Sequence, residues 1–272
     1  MRVLVSAPLT EEGVGMSQAL HCPRWLVAAF TVVLTAALTV AGGTREAAAI
    51  SSSPAVGELD QVPDFAMLPL KDFRLSTENG RKAVRFTVDI VNKGGNFELV
   101  GSRPDTDTET MTVVQNLRRT DGGVRSIPTK ATMHFALADG HNHWHVSDFA
   151  EYKLRPVGSR TWRGAHKEGF CVRDRFRLEG NAPRGYPNNC KPGSPQELKV
   201  TEGLSPGWVD DYPWKVWGQF IYLDGLTLPG DFCVAATADP LRLFTETTRK
   251  NSRTTTLVRI TAADVRVIRQ GC

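Results

Sequence analysis

Val84, Phe86, Val88 and Ile90 alternate with Arg85, Thr87 and Asp89, and this period of two constrains the fold more than any other feature of the chain. Side chains two apart on an extended strand face the same way, so the run predicts a strand with one buried face. Asn92-Lys93-Gly94-Gly95-Asn96 reads as a turn, after which Phe97 and Leu99 resume the alternation. Residues 111–117 and 124–127 flank Asp121-Gly122-Gly123, a hairpin signature. Further short strands are predicted at residues 152–154, 220–223, 232–236, 257–260 and 265–268. Long amphipathic helical stretches are absent, so the predicted class is all-β, an antiparallel Ig-like β-sandwich. Residues 158–217 break the pattern. They are rich in Gly, Pro, Asn and Trp and weakly periodic, and they read as a long loop-rich insertion of the kind that carries active sites.

The N-terminus reads as an export segment. Arg24 precedes an apolar run from Trp25 to Ala41, and Ala47-Ala48-Ala49 offers the small residues that signal peptidase cuts. Residues 1–49 are therefore expected to be a signal peptide or an N-terminal membrane anchor, with cleavage favoured because the run is short for a span. Residues 50–64, with Ser51-Ser52-Ser53-Pro54, follow as a linker, and residues 65–272 as the folded domain. Four cysteines lie beyond the export segment: Cys171, Cys190, Cys233 and Cys272. An even count in an exported chain implies two disulfides. Three connectivities are open, and pairing neighbours closes the shorter loops.

Three of the six histidines, His141, His143 and His145, alternate with Asn142 and Trp144. On a strand all three imidazoles project from one face, adjacent members about 6.6 Å apart. One ion above the middle residue would take the outer pair from opposite sides and the middle ring from beneath. That T-shaped set suits tetragonal Cu(II) better than tetrahedral zinc. A single strand histidine is an ordinary packing or surface residue; three within five positions point to a metal. His134 reads as structural.

Around and beyond the histidines the motifs resemble those of a known family. The His-Asn-His-Trp-His core, followed by Asp148, Phe149 and Tyr152, resembles the copper-binding segment of lysyl oxidases. Ala165-His166-Lys167-Glu168-Gly169-Phe170-Cys171 is similar to the segment that carries that family's cofactor lysine. Gly203-Leu204-Ser205-Pro206-Gly207-Trp208-Val209-Asp210-Asp211-Tyr212 is similar to the segment that carries its cofactor tyrosine, and Gly218-Gln219-Phe220-Ile221 and Leu228-Pro229-Gly230-Asp231 follow in family order. The resemblance covers roughly residues 65–270. It implies copper on His141, His143 and His145, and a lysine tyrosylquinone built from Lys167 and Tyr212. It also implies a secreted enzyme that uses dioxygen to convert primary amines, peptidyl lysine or small amines, to aldehydes, with hydrogen peroxide and ammonia released. A carboxylate must then remove the α-proton; Asp148 is the first candidate, and Asp210 or Asp211 the second. Gly140, Trp208 and Gly218 stand where animal members carry cysteines, which leaves the loop-rich segment more dependent on copper and aromatic packing.

Two other functions share this pattern: a non-catalytic copper-binding β-sandwich module, and a zinc-dependent hydrolase. A nucleic-acid partner is not supported, because the net charge is only +4 and no run of five Lys or Arg occurs. Contact with a membrane is expected only through the N-terminal segment if it is uncleaved. A cationic substrate needs an acidic patch, for which Asp210, Asp211, Asp174 and Glu168 are the candidates.

Overall fold

The computed structural model describes residues 56–137, 141–187 and 190–272, and of residues 165–168 the backbone alone. The apolar run from Trp25 to Ala41 and the Ala47–Ala49 site lie outside the described residues. Every regular element among the described residues is a strand. In chain order these are β1 (Asp60–Gln61), β2 (Phe65–Met67), β3 (Lys71–Glu78), β4 (Arg81–Asn92), β5 (Phe97–Ser102) and β6 (Thr110–Arg119). They continue with β7 (Val124–Ala136), β8 (His143–Pro156), β9 (Arg163–Phe170), β10 (Phe176–Arg177) and β11 (Lys199–Leu204). The last are β12 (Trp208–Tyr212), β13 (Phe220–Tyr222), β14 (Gly230–Ala238), β15 (Arg253–Ile260) and β16 (Val265–Gln270).

Two antiparallel sheets form. The larger runs β11-β5-β6-β7-β8-β14-β15-β16, with β1 added on β6 and β9 on β8; the smaller runs β10-β12-β4-β13, with β2 and β3 also on β4. The alternating residues Val84, Phe86, Val88 and Ile90 are fully buried in one core with Val146, Leu154, Val234 and Ala236 of the larger sheet. Phe86 of β4 meets Tyr152 of β8 edge to face, centroids 5.3 Å apart, so the two sheets pack face to face as a sandwich. Each such ring removed from water contributes about 2–3 kcal/mol before the entropy of ordering is counted.

The turns follow from residue chemistry. Asp121 caps the β6–β7 hairpin by accepting from the Gly123 N–H at 2.9 Å. Asn92 holds the β4–β5 turn by donating to the Gly95 and Leu204 carbonyls at 2.6 and 2.8 Å. Gly94 and Gly95 are needed there, because a Cβ at either would lie 2.4 Å from the Val62 or Gln61 carbonyl oxygen.

The segment 158–217 is less loop-like than its composition predicts, since β9, β10, β11 and β12 all fall within it. These strands are two to eight residues long and take distant partners, β11 on β5 and β12 on β4. Their local periodicity is correspondingly weak. The Gly- and Pro-rich stretch between β10 and β11 forms no strand.

Cys171 pairs with Cys190 and Cys233 with Cys272, the neighbour pairing that closes 19- and 39-residue separations. By loop entropy each stabilises by about 3–4 kcal/mol. Replacing Cys233 and Cys272 with Ser is expected to lower the unfolding free energy by about that amount and leave copper affinity unchanged. The same change at Cys171 and Cys190 should lower both, because Cys190 also holds the histidine strand. Urea unfolding beside copper titration distinguishes the two pairs.

Candidate metal centre

The histidine strand is fixed on the side away from the imidazoles. The Trp144 N–H donates to the Cys190 carbonyl at 2.8 Å, and its indole N–H donates to the Ser194 carbonyl at 3.0 Å. The Gly193 N–H donates to the Asn142 carbonyl at 2.8 Å. Residues 190–194 therefore strap the even-numbered positions, and the fully buried Trp144 anchors them. The odd-numbered positions are left to face the other way together, as strand geometry requires.

The flanking strands shape the space around the rings. Antiparallel pairing sets His134 opposite His145 and the small Ala136 opposite His143. On β9, a Cβ at Gly169 would lie 3.1 Å from His134 Cε1 and 3.3 Å from His145 Cβ, so only glycine lets this strand approach the ring without displacing it. His134, whose Nδ1 lies 3.0 Å from Ser147 Oγ, packs edge-on to His145 and supports it from the next strand. This agrees with a structural role.

Three ring nitrogens converge. His145 Nε2 lies 2.9 Å from His143 Nε2 and 3.2 Å from His141 Nδ1, and the three ligand atoms lie within 4.8 Å of one another. A nitrogen carries one proton at most, so His145 Nε2 cannot donate fully to both neighbours. Burial, then the positive ends of neighbouring histidines and Arg173, pushes His145 down to about 2. His143 is pushed down to about 4 by burial, His141 and Arg173. Both rings are neutral at physiological pH and present lone pairs. At a metal–nitrogen distance of about 2.0–2.1 Å, ligands at right angles lie about 2.9 Å apart, so the donor set fits one imidazole-selecting ion such as Cu(II).

Tyr212 ends β12, a strand rather than the loop its composition implies. Its half-buried ring packs on Phe170 with centroids 3.9 Å apart, and its hydroxyl donates to the Cys171 carbonyl at 3.1 Å. Phe170 pairs in register with Val146, the residue after His145. Cys171 is bonded to Cys190, whose carbonyl holds Trp144. Two short chains of contact thus join the tyrosine to the histidine strand. The backbone of Lys167 sits on β9 opposite Glu151, three residues before Phe170.

Behind these groups lies a buried charge cluster. Arg173 is within electrostatic reach of His143, His145, Glu202, Asp210 and Tyr212. Glu202 accepts from the Val172 N–H at 2.9 Å and also faces the Val146 N–H; burial raises its carboxyl well above the usual range. Burial likewise raises Asp210 and the Tyr212 phenol, the latter further through Asp210 and Glu202. Arg173 and Glu202 were not among the residues picked from sequence. Glu202 had a legible signal, a carboxylate in register with Val200 and Leu204, all three buried; Arg173 had none.

Of the four carboxylates expected to form an acidic patch, three are buried or paired, and the Glu168 side chain lies outside the described residues. Asp174 is fully buried and takes the Gly185, Tyr186 and Ser205 N–H groups and the Ser205 hydroxyl, which ties three loops together. Asp210 is buried, and Asp211 pairs with Arg175 at 2.8 Å. Asp148 sits in an irregularity between Val146 and Ala150, in the left-handed region at φ 57°, where its charge acts on His134.

A family model described as lysyl oxidase matches residues 100–272. Comparison with curated proteins returns no match.

His145→Ala is expected to lower copper affinity by more than a hundredfold in calorimetric titration, because it removes the central nitrogen. Gly169→Ala should lower it roughly 10–100-fold through displacement of His145 alone, with the β-sheet circular dichroism retained.

Proposed function

Because the chain belongs to the lysyl oxidase family, we propose that it is an exported copper-dependent amine oxidase that acts on peptidyl lysine or small primary amines. The observation that carries this reading is the convergence of three imidazoles, those of His143 and His145 on β8 and that of His141 just before it, on a strand coupled to Tyr212 through Phe170 and the Cys171–Cys190 bridge. The two disulfides fit an oxidising compartment, as does an export segment at residues 1–49 ahead of a catalytic domain at 65–272.

His141, His143 and His145 would hold copper. Bound copper with dioxygen supplies oxidation of the Tyr212 ring and its linkage to Lys167, giving a lysine tyrosylquinone whose chemistry converts a primary amine to an aldehyde, with ammonia and hydrogen peroxide as the other products. The protein's own groups prepare that chemistry. Phe170 and the Cys171 carbonyl fix the ring and hydroxyl of Tyr212, so the ring does not turn freely on its strand. Gln219 donates to the Tyr212 carbonyl at 2.8 Å and secures the end of β12. The Lys167 amine would have to be neutral to join the Tyr212 ring. The charge of Asp148 acts on His134 and that of Asp210 on Tyr212, and one of these two carboxyls would accept the substrate's α-proton.

Copper loading of the metal-free protein in air is expected to produce visible absorbance and a covalent link between the peptides that contain Lys167 and Tyr212, seen by mass spectrometry. Peroxide should follow on addition of a primary amine. Tyr212→Phe and Lys167→Arg should abolish the link with copper affinity kept within about threefold. Copper bound with neither link nor peroxide would leave a non-catalytic copper module, and activity restored by zinc instead would indicate a hydrolase.

A further inference from the structure

Five acidic residues among the described residues are buried as whole residues: Asp89, Asp174, Glu202, Asp210 and Asp239. Four are committed. Asp89 pairs with Lys71, and Asp174 holds three loops. Glu202 takes the Val172 N–H, and Asp239 takes the Leu243 and Phe244 N–H groups and Arg249. Asp210 alone has neither oxygen hydrogen-bonded, although the residue is 1% exposed. A buried polar group left without a partner calls for a functional explanation.

Its place on β12 supplies one. Asp210 and Tyr212 are two apart and share a face of the strand, whereas Asp211 points the other way to Arg175. Two positions on one face lie about 6.6 Å apart. That span admits one substrate carbon between the ring and the carboxylate, with reacting atoms about 3–3.5 Å apart on each side. Asp148 lies on β8, where its charge acts on His134, whereas the charges that act on the Tyr212 phenol are those of Asp210, Glu202 and Arg173.

We propose that Asp210 is the base that removes the α-proton of the amine bound at Tyr212. The inference rests on the amine oxidase reading. The substrate C–H bond breaks and an O–H bond forms on Asp210. The electron pair passes to the quinone at Tyr212, and dioxygen reoxidises it with formation of hydrogen peroxide. The groups that act on the Asp210 carboxyl are Arg173, which favours its charged form with help from Arg175, and Asp211 and Glu202, which oppose it. Burial moves it toward neutrality, where a base is most effective.

The test uses the full chain loaded with copper in air, with n-butylamine and its 1,1-dideuterated form as probes. D210N is expected to form wild-type amounts of quinone, titrated with phenylhydrazine, and to keep KM within about threefold. Its kcat should fall roughly 10²–10⁴-fold, and the acid limb of the kcat/KM profile should disappear. D210E should recover part of the rate and shift that limb, and D148N should lose less than D210N. In metal-free protein, infrared spectra should show a protonated carboxyl band that D210N lacks and that persists to a higher pH than an ordinary aspartate before it bleaches. D210N within fivefold of wild-type kcat, a larger loss in D148N, or no such band would overturn the assignment. If D210N forms no quinone, D210E carries the test, and an unshifted acid limb overturns it. No quinone in the wild-type protein would overturn the oxidase reading itself.

Discussion

Three imidazole lone pairs converge on one point only if the strand that carries them is held everywhere else. Alternation alone would put His141, His143 and His145 on one face, but an unsupported strand twists and its rings splay. Here the even positions are strapped by residues 190–194, and β7 pairs along one edge. Gly169 brings β9 to within van der Waals contact of His145. The resulting nitrogen separations are 2.9 and 3.2 Å, so His145 Nε2 is shared between two neighbouring rings. A cation held by the three nitrogens should stabilise the native state by an amount that grows with the logarithm of its affinity.

The same support sets the position of the tyrosine. A run of aromatic contacts passes from Phe97 through Phe149 and Phe170 to Tyr212 with centroid spacings of 5.7, 5.7 and 3.9 Å. Phe170 is the shared element: its backbone belongs to the sheet that carries the histidines, and its ring touches a tyrosine on the other sheet. Packing between the two layers of the sandwich, rather than a loop conformation, fixes the tyrosine relative to the metal centre. This rigidity suits the modification at a defined atom that we propose for Tyr212.

The parts legible in the sequence are those where the period of two runs long enough to read. β4 shows it over seven residues, the β6–β7 hairpin has its Asp-Gly-Gly turn, and the histidines repeat it in polar form. The neighbour pairing of cysteines was readable because the shorter loops cost less to close. The strands within residues 158–217 were not, because each is short; β11 and β12 pair with segments more than eighty residues away, β9 pairs with a long strand whose alternation hides its second edge, and the two-residue β10 pairs with β12. The acidic patch failed for a related reason. Sequence proximity does not separate a carboxylate that faces water from one such as Asp174, whose oxygens are consumed by backbone N–H groups. The family match, which begins at residue 100, adds what no periodicity carries: the identity of the chemistry.

Electrostatics then decide which groups can change protonation in the site. Arg173 is a fixed cation among two buried acids, a phenol and two ligand histidines. A guanidinium does not titrate in the working range, so its charge biases every neighbour in one direction. It lowers the cost of ionising Asp210, Glu202 and Tyr212, and it raises the cost of protonating His143 and His145. Both effects favour the state a metal centre needs, with ligands neutral and the acids and the phenol able to give up protons. Burial opposes ionisation of those acids and of the phenol, and it is the larger influence. In the metal-free protein the phenol therefore stays protonated and bonded to the Cys171 carbonyl.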